Sequence, residues 1–136
     1  MYMGINLQAK DSLSELLKKN YIIKSVEYSE NTFGNILVEI INEYFSIRFV
    51  YDRKDCFCKI VHLDETYLMD DVFSILNYEV KDNSKNFWEF VKYYSLHIAN
   101  KNAEINKIFS SEMIDETRTK LKQVSAARVY RLFGIE

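Results

Sequence analysis

Apolar and polar residues alternate most clearly in the middle of this chain. Over residues 44–51 every second side chain is apolar, namely Phe45, Ile47, Phe49 and Tyr51. A period of two places the alternate sets on opposite faces of a β-strand, so the apolar set is expected to face a core. The pattern therefore predicts a strand over this stretch.

Three neighbouring segments also predict strands. Residues 33–41 form one of them, and from Ile36 to Ile41 this stretch is apolar nearly throughout except for Glu39, which is typical of a central strand. Residues 21–29 combine β-branched and aromatic side chains, and residues 56–63 form a further apolar run. The predicted turns are residues 29–32, Asn42-Glu43 and residues 52–55. Strands this close in sequence are expected to pair as a four-stranded antiparallel meander.

Apolar residues at helical spacing predict helices before and after the strands. A first helix is expected over about residues 7–19, or alternatively from an N-cap at Asp11 or Ser12. A short apolar stripe over residues 72–76 predicts a helix capped by Asp70 or Asp71.

The longest periodic segment covers residues 85–109, with Ser84 as its expected N-cap. A straight helix of this length would measure about 37 Å, longer than the core of a small domain is wide. We therefore expect it to bend or break near residues 100–102. A last helix is expected from Ser110 or Ser111 to Leu132, with Gly134 as its stop.

These elements predict one α+β domain over residues 1–136. It has an N-terminal helix, a four-stranded antiparallel β-meander and C-terminal helices packed on one face of the sheet. The predicted core includes Leu16, Ile40, Phe45, Ile47, Phe49, Ile60, Phe73, Leu76, Phe90, Ile98 and Leu121.

The composition narrows the classes of function. A net charge of −2 argues against the nucleic-acid backbone as the main partner. No apolar run approaches membrane-spanning length, no signal-peptide pattern opens the chain, and Tyr2 stands where a myristoylation signal needs glycine. We therefore expect a cytoplasmic protein without membrane contact, and with three glycines and no proline we expect no phosphate loop and no cofactor.

Cysteine and histidine are too dispersed to predict a metal site. Cys56, Cys58 and His62 would share one face of a strand but spread over roughly 20 Å, and His97 would have to join from a helix. The two cysteines point the same way, which does not favour a disulfide, so reduced thiols are expected.

Residues 61–83, here called the acidic segment, indicate a surface that binds a partner. It carries six acidic side chains and one lysine, a local net charge of −5. Such a surface raises association rates with a basic partner and discriminates between partners. The expected partner-binding residues are Asp64, Glu65, Tyr67, Asp70 and Asp71.

Residues 34–60, GNILVEIINEYFSIRFVYDRKDCFCKI, resemble the meander of bacterial immunity proteins encoded beside polymorphic or contact-dependent toxins. The matching residues are Gly34, Glu39, Arg48, Asp52 and Arg53, and Lys54 stands where the pattern has a glycine. The resemblance implies a non-enzymatic protein that binds a cognate toxin tightly and blocks it. Binding residues vary within this family, so none is carried over by position.

Two other classes of function stay open at this point. One is a general binding module, such as a phage or mobile-element adaptor, that self-associates through aromatic helix faces with Trp88 or Tyr93 as an anchor. The other is a small hydrolase that uses His62 with Asp64 or Glu65. The leading prediction is the immunity protein, acting as a monomer or weak dimer.

Overall fold

The fold is α+β, with helices before and after an antiparallel sheet. The structure is a computed structural model that describes residues 2–30, 34–82 and 84–133. Its helices are α1 (Tyr2–Ser12), α2 (Ser14–Leu17), α3 (Met69–Ile75), α4 (Phe87–Asn100), α5 (Asn102–Ile108) and α6 (Ile114–Phe133). Its strands are β1 (Ile22–Ser29), β2 (Asn35–Ile41), β3 (Ser46–Asp52), β4 (Asp55–His62) and β5 (Glu65–Leu68). The predicted fold class is confirmed.

All strand pairs are antiparallel and follow the order β1-β2-β3-β4-β5. The predicted two-residue turn at Asn42-Glu43 is wrong, because four residues join β2 to β3. The Asn42 Oδ1 accepts hydrogen bonds from the backbone N–H groups of Tyr44 and Phe45, at 2.8 and 3.0 Å, and this holds the wider loop. Arg53 and Lys54 form the predicted β3–β4 turn, and both have positive φ, at 51° and 74°.

The described residues form five strands where the sequence predicted four. The additional strand, β5, pairs with β4 through Ile60 opposite Tyr67 and His62 opposite Glu65. Its four residues are too few for a recognisable alternation, and they lie inside the acidic segment. The predicted turn residues Asn31 and Thr32, and the predicted strand start at Phe33, lie outside the described residues.

The first helix differs from the prediction in both start and continuity. It begins at Tyr2, and Leu13 separates it from the single turn of α2. The predicted break of the long helix is confirmed, since Lys101 separates α4 from α5. The predicted stop of the last helix at Gly134 lies outside the described residues.

Three predicted N-caps are wrong. The last helix, α6, begins at Ile114, so neither Ser110 nor Ser111 caps it. The cap of α4 is Asn86 instead of Ser84: the Asn86 side chain accepts a hydrogen bond from the Glu89 N–H at 2.9 Å. The cap position of α3 is Leu68, which makes no side-chain hydrogen bond, so Asp70 and Asp71 lie in the first turn of α3.

One face of the sheet carries the core, and the helices lie against it. Every predicted core residue is buried except Leu76, which is half-buried because it caps the C-terminus of α3. Buried residues on this face alternate along the strands, among them Val38, Ile40, Ile47, Phe49, Cys58 and Ile60. The opposite face, formed by the intervening residues, is called the outer sheet face below.

Candidate functional site

The acidic segment lies against α6, which supplies arginines to it. Glu65 forms an ion pair with Arg118, and Asp71 forms one with Arg128. Asp71 is only 7% exposed, so the prediction that it belongs to an open acidic surface is wrong. The reason is that a helix distant in sequence packs on α3 and neutralises this carboxylate.

The other predicted contact residues either form hydrogen bonds within the chain or lie exposed to solvent. The Tyr67 hydroxyl donates a hydrogen bond to Glu65 at 2.9 Å, and burial together with this carboxylate raises the Tyr67 pKa. Asp70 is exposed but accepts a hydrogen bond from the Tyr94 hydroxyl at 2.6 Å. Asp64 lies exposed in the β4–β5 turn. The structure therefore brings four of the five residues into contacts within the chain.

The proposed acid–base group does not converge on one site. His62 lies opposite Glu65 in the β4–β5 register, and its ring packs 5.6 Å from that of Phe109. Glu65 is engaged by Arg118 and Tyr67, so it is not directed toward His62 as a proton acceptor. His62 and Glu65 therefore do not form the acid–base pair that the hydrolase alternative requires.

The thiols and the second histidine lie in separate environments. Burial raises the pKa of the Cys58 thiol well above its ordinary value, and Cys56 is half-buried on the same strand. His97 shares a hydrogen bond with the Tyr78 hydroxyl, and burial lowers its pKa. Within the described ranges, His, Cys, Asp and Glu side chains form no group of three that could hold a metal ion.

The aromatic residues proposed as interface anchors pack mainly within the chain. Trp88 is half-buried, with its ring 5.0 Å from that of Phe87. Tyr93 is half-buried and contacts the His97 ring at 4.5 Å.

Among the described helices, none is long and apolar enough to cross a membrane.

The outer sheet face presents an apolar row beside a charged row. The strand register aligns Glu27, Leu37, Val50 and Phe57 in one row and Glu39, Arg48, Lys59 and Leu68 in the next. Phe57 is 39% exposed, which is high for a large aromatic side chain in a sheet. No described element covers this face, because the helices occupy the other side.

Glu39 supplies the carboxylate of the charged row. It is 8% exposed, and its carboxylate lies 3.0 Å from Arg48 Nε and 3.8 Å from Lys24 Nζ. A shift of register between Ile23 and Ser25 inserts Lys24 as an extra residue in β1. Burial raises the Glu39 pKa, but the hydrogen bond and charge of Arg48, with the charge of Lys24, outweigh burial and lower it overall.

The residues that carry the resemblance fall into two structural groups. Glu39 and Arg48 form the ion pair on the outer sheet face. Gly34 has φ of +73°, a conformation that glycine adopts without strain, at the start of β2. Asp52 accepts a hydrogen bond from the Asn35 amide at 3.1 Å, and the Arg53 N–H donates to Asn35 Oδ1 at 3.2 Å. The second group therefore shapes the strand ends, and the first belongs to an open surface.

A groove of about 710 Å³ runs across the outer sheet face. Arg48, Lys59, Glu27 and Asp52 are among the residues that line it. Sequence reasoning missed this surface. Its signal was Glu39 within an otherwise apolar strand, together with charged residues at alternate positions of the next two strands.

No protein-family model, curated protein or solved structure matches this chain.

Proposed function

We propose that this protein is a non-enzymatic immunity protein that works in the bacterial cytoplasm by binding a cognate toxin and covering its active surface. The observation that carries the proposal is the Glu39–Arg48 ion pair. These two residues belong to the meander that resembles immunity proteins, and they meet at 3.0 Å on a sheet face that no described element covers.

A tight inhibitor benefits from a surface that is already ordered before binding, because ordering side chains and loops opposes association. The outer sheet face meets this requirement. Strands β2 and β3 are hydrogen-bonded on both sides, and fully buried residues such as Ile40, Ile47 and Phe49 support them from below.

The residue types on this face also suit a protein partner. Interface centres are enriched in aromatic side chains and arginine. Arg48 lies on the central strand β3 and Phe57 on the neighbouring strand β4, and both remain partly exposed. A rigid surface with these groups supports binding of a folded macromolecule.

Growth rescue tests the proposed function. Each gene adjacent to this one would be expressed in a laboratory bacterium, alone and together with this protein. We expect one neighbour to arrest growth alone and to lose this effect on co-expression. Its purified product should also co-elute with this protein. An unrelated protein expressed at the same level is the control, and adjacent genes without toxicity, or toxicity unaffected by this protein, would contradict the proposal.

A self-associating adaptor is the second candidate, and one observation favours it. Val129, Tyr130 and Leu132 near the C-terminal end of α6 are 42%, 47% and 70% exposed. Sedimentation of the wild type and of Tyr130→Ser/Leu132→Ser separates the candidates. A tight dimer that the double substitution dissociates would favour the adaptor, whereas the immunity protein is expected to be a monomer or weak dimer.

A further inference from the structure

We propose that the outer sheet face is the toxin-binding surface, and that the toxin places there a carboxylate next to an apolar side chain. This inference rests on the proposed function and adds the binding surface and the chemistry of the partner. It also reverses the charge expected from the sequence, because the acidic segment would have required a basic partner.

The centre of the outer sheet face is cationic. Lys24 and Arg48 contact the carboxylate of Glu39, and Lys59 lies opposite Arg48 on the next strand. Glu39 interacts with Lys24 and Arg48. The Lys59 ammonium instead lies over the Phe57 ring, 5.5 Å from the ring centroid. Two of these three positive charges therefore exceed what the Glu39 carboxylate neutralises.

The strand register places two of these cations directly opposite each other. Arg48 on β3 and Lys59 on β4 are paired positions, and like charges at such positions destabilise a sheet. A carboxylate from a partner that reached both would remove this repulsion. Arg48 is prepared for it, because Glu39 fixes its Nε while 42% of its side chain stays exposed.

An apolar row adjoins this cationic centre. Leu37 and Val50 are half-buried in it, and Phe57 is 39% exposed. A toxin side chain that covers Phe57 would exclude water from Lys59 as well, since the ammonium already lies over this ring. Excluding water strengthens the attraction between Lys59 and a carboxylate.

The same face is poorly suited to an extended polyanion. Glu27 and Asp52 also line the groove and would repel the phosphates of a nucleic acid or the head groups of an acidic membrane. A single carboxylate at the centre avoids both. The charge distribution therefore favours an acidic and apolar patch of a folded protein.

Lys59→Glu is the principal variant for the test. It reverses one charge and gives Arg48 an acidic neighbour, so the fold is expected to persist. We expect it to weaken binding of the purified neighbouring toxin by about 30-fold or more and to abolish growth rescue. Phe57→Ser should also weaken binding. Lys122→Glu, the same change of charge at an exposed position of α6, is the matched control and should bind as the wild type does.

The possible outcomes distinguish a failure of this inference from a failure of the proposed function. If Lys59→Glu and Phe57→Ser both bind and rescue normally, while Asp64→Asn or Asp70→Asn abolishes rescue, the outer sheet face is the wrong surface but the immunity function holds. If neither adjacent gene encodes a toxin, the proposed function fails, and a second experiment still decides the chemistry of the face.

That second experiment uses a displayed library of short random peptides. We expect selection on the wild type to enrich Asp or Glu next to Leu or Phe, and these peptides should not bind Lys59→Glu. Enriched peptides that bind both proteins equally, or a library that yields no binders, would overturn the inference. Sedimentation with phosphatidylserine vesicles is run in parallel, and Lys59-dependent binding to vesicles in place of peptides would also overturn it.

Discussion

The acidic segment and the outer sheet face both concentrate charge, but a helix distant in sequence neutralises part of the charge of the acidic segment. In the acidic segment, Asp71 is paired with Arg128, 57 residues further along the chain. On the outer sheet face, Glu39 and Arg48 are nine residues apart on paired strands, and Arg48 and Lys59 stay accessible. A high local charge in the sequence therefore does not predict a charged surface, because a distant element can neutralise it.

This contrast follows from how α6 is attached. Leu121 is its fully buried apolar residue, and the Thr117 hydroxyl donates a hydrogen bond to the Ile108 carbonyl oxygen at 2.6 Å. The arginines of α6 provide the remaining anchors to the acidic segment. Glu65 and Asp71 of this segment therefore attach α6, whereas Glu39 on the outer sheet face pairs with Arg48 and leaves 42% of that side chain exposed.

Removing the apolar anchor of α6 should have the largest effect. Leu121→Ala is expected to lower the free energy of unfolding by about 3 kcal/mol, because Leu121 is 1% exposed and its loss leaves a cavity. Urea denaturation measures this, and amide hydrogen exchange should show α6 opening before the sheet. Val129→Ala, at a position 42% exposed, is the control and should change stability little. A loss below about 1 kcal/mol for Leu121→Ala would show that α6 is not anchored there.

Removing the arginine opposite Asp71 should have the next largest effect. Arg128→Ala is expected to cost about 2 kcal/mol, because it leaves a nearly buried carboxylate without its partner. Adding Asp71→Asn should recover part of this loss, since a neutral amide is easier to bury. Arg131→Ala, at an exposed position of the same helix, is the matched control. Equal stability of Arg128→Ala and Arg131→Ala would contradict the account of the acidic segment.

Neutralising Glu39 on the outer sheet face should have a smaller effect with a distinct pH dependence. Glu39→Gln is expected to cost about 1 kcal/mol at pH 7, because Arg48 and Lys24 lose their carboxylate. The Glu39 pKa lies below its ordinary value of 4.5 in the folded protein, so the stabilisation is present above that value and is lost as pH falls through the folded pKa. Denaturation of both proteins from pH 7 to 3 should show the difference shrinking below about 4.5. A difference that stays constant with pH would refute the role of the ionised carboxylate.

Reversing Lys59 should have the smallest effect on stability. Lys59→Glu is expected to leave the free energy of unfolding unchanged or to raise it by up to about 0.5 kcal/mol, because it removes a like-charge pair with Arg48. Thermal unfolding, with Lys122→Glu as control, measures this. A clear loss of stability would show that Lys59 has a structural role that the outer sheet face does not explain.

Local patterns in the sequence were enough to predict the meander, most of the core and the break between α4 and α5. The alternation at Phe45, Ile47 and Phe49 is a consequence of strand geometry, and it holds whatever packs on the strand. The break at Lys101 follows from length, since an unbroken helix would exceed the width of the core. The same reasoning missed β5, because a strand of four residues has too little alternation to recognise and depends on pairing with β4.

The candidate site was much less predictable than the fold. The acidic segment was the strongest signal in the sequence, but its exposure depended on where α6 packs, and that is a matter of tertiary contact. Glu39 appeared only as an exception within an apolar strand. Its role as the partner of two cations could be recognised only from the tertiary structure. The strand register places Arg48 beside it, and the bulge brings Lys24 within 3.8 Å.

The sequence by itself determined which residues form strands and helices and which face of the sheet becomes the core, because these depend on periodicity and on burial of apolar side chains. Only the tertiary structure decided which charges are neutralised within the chain and which remain available to a partner. The physical reason is that electrostatic pairing depends on distances of a few ångströms between groups that can be far apart in sequence. Asp71 and Lys59 illustrate the two outcomes.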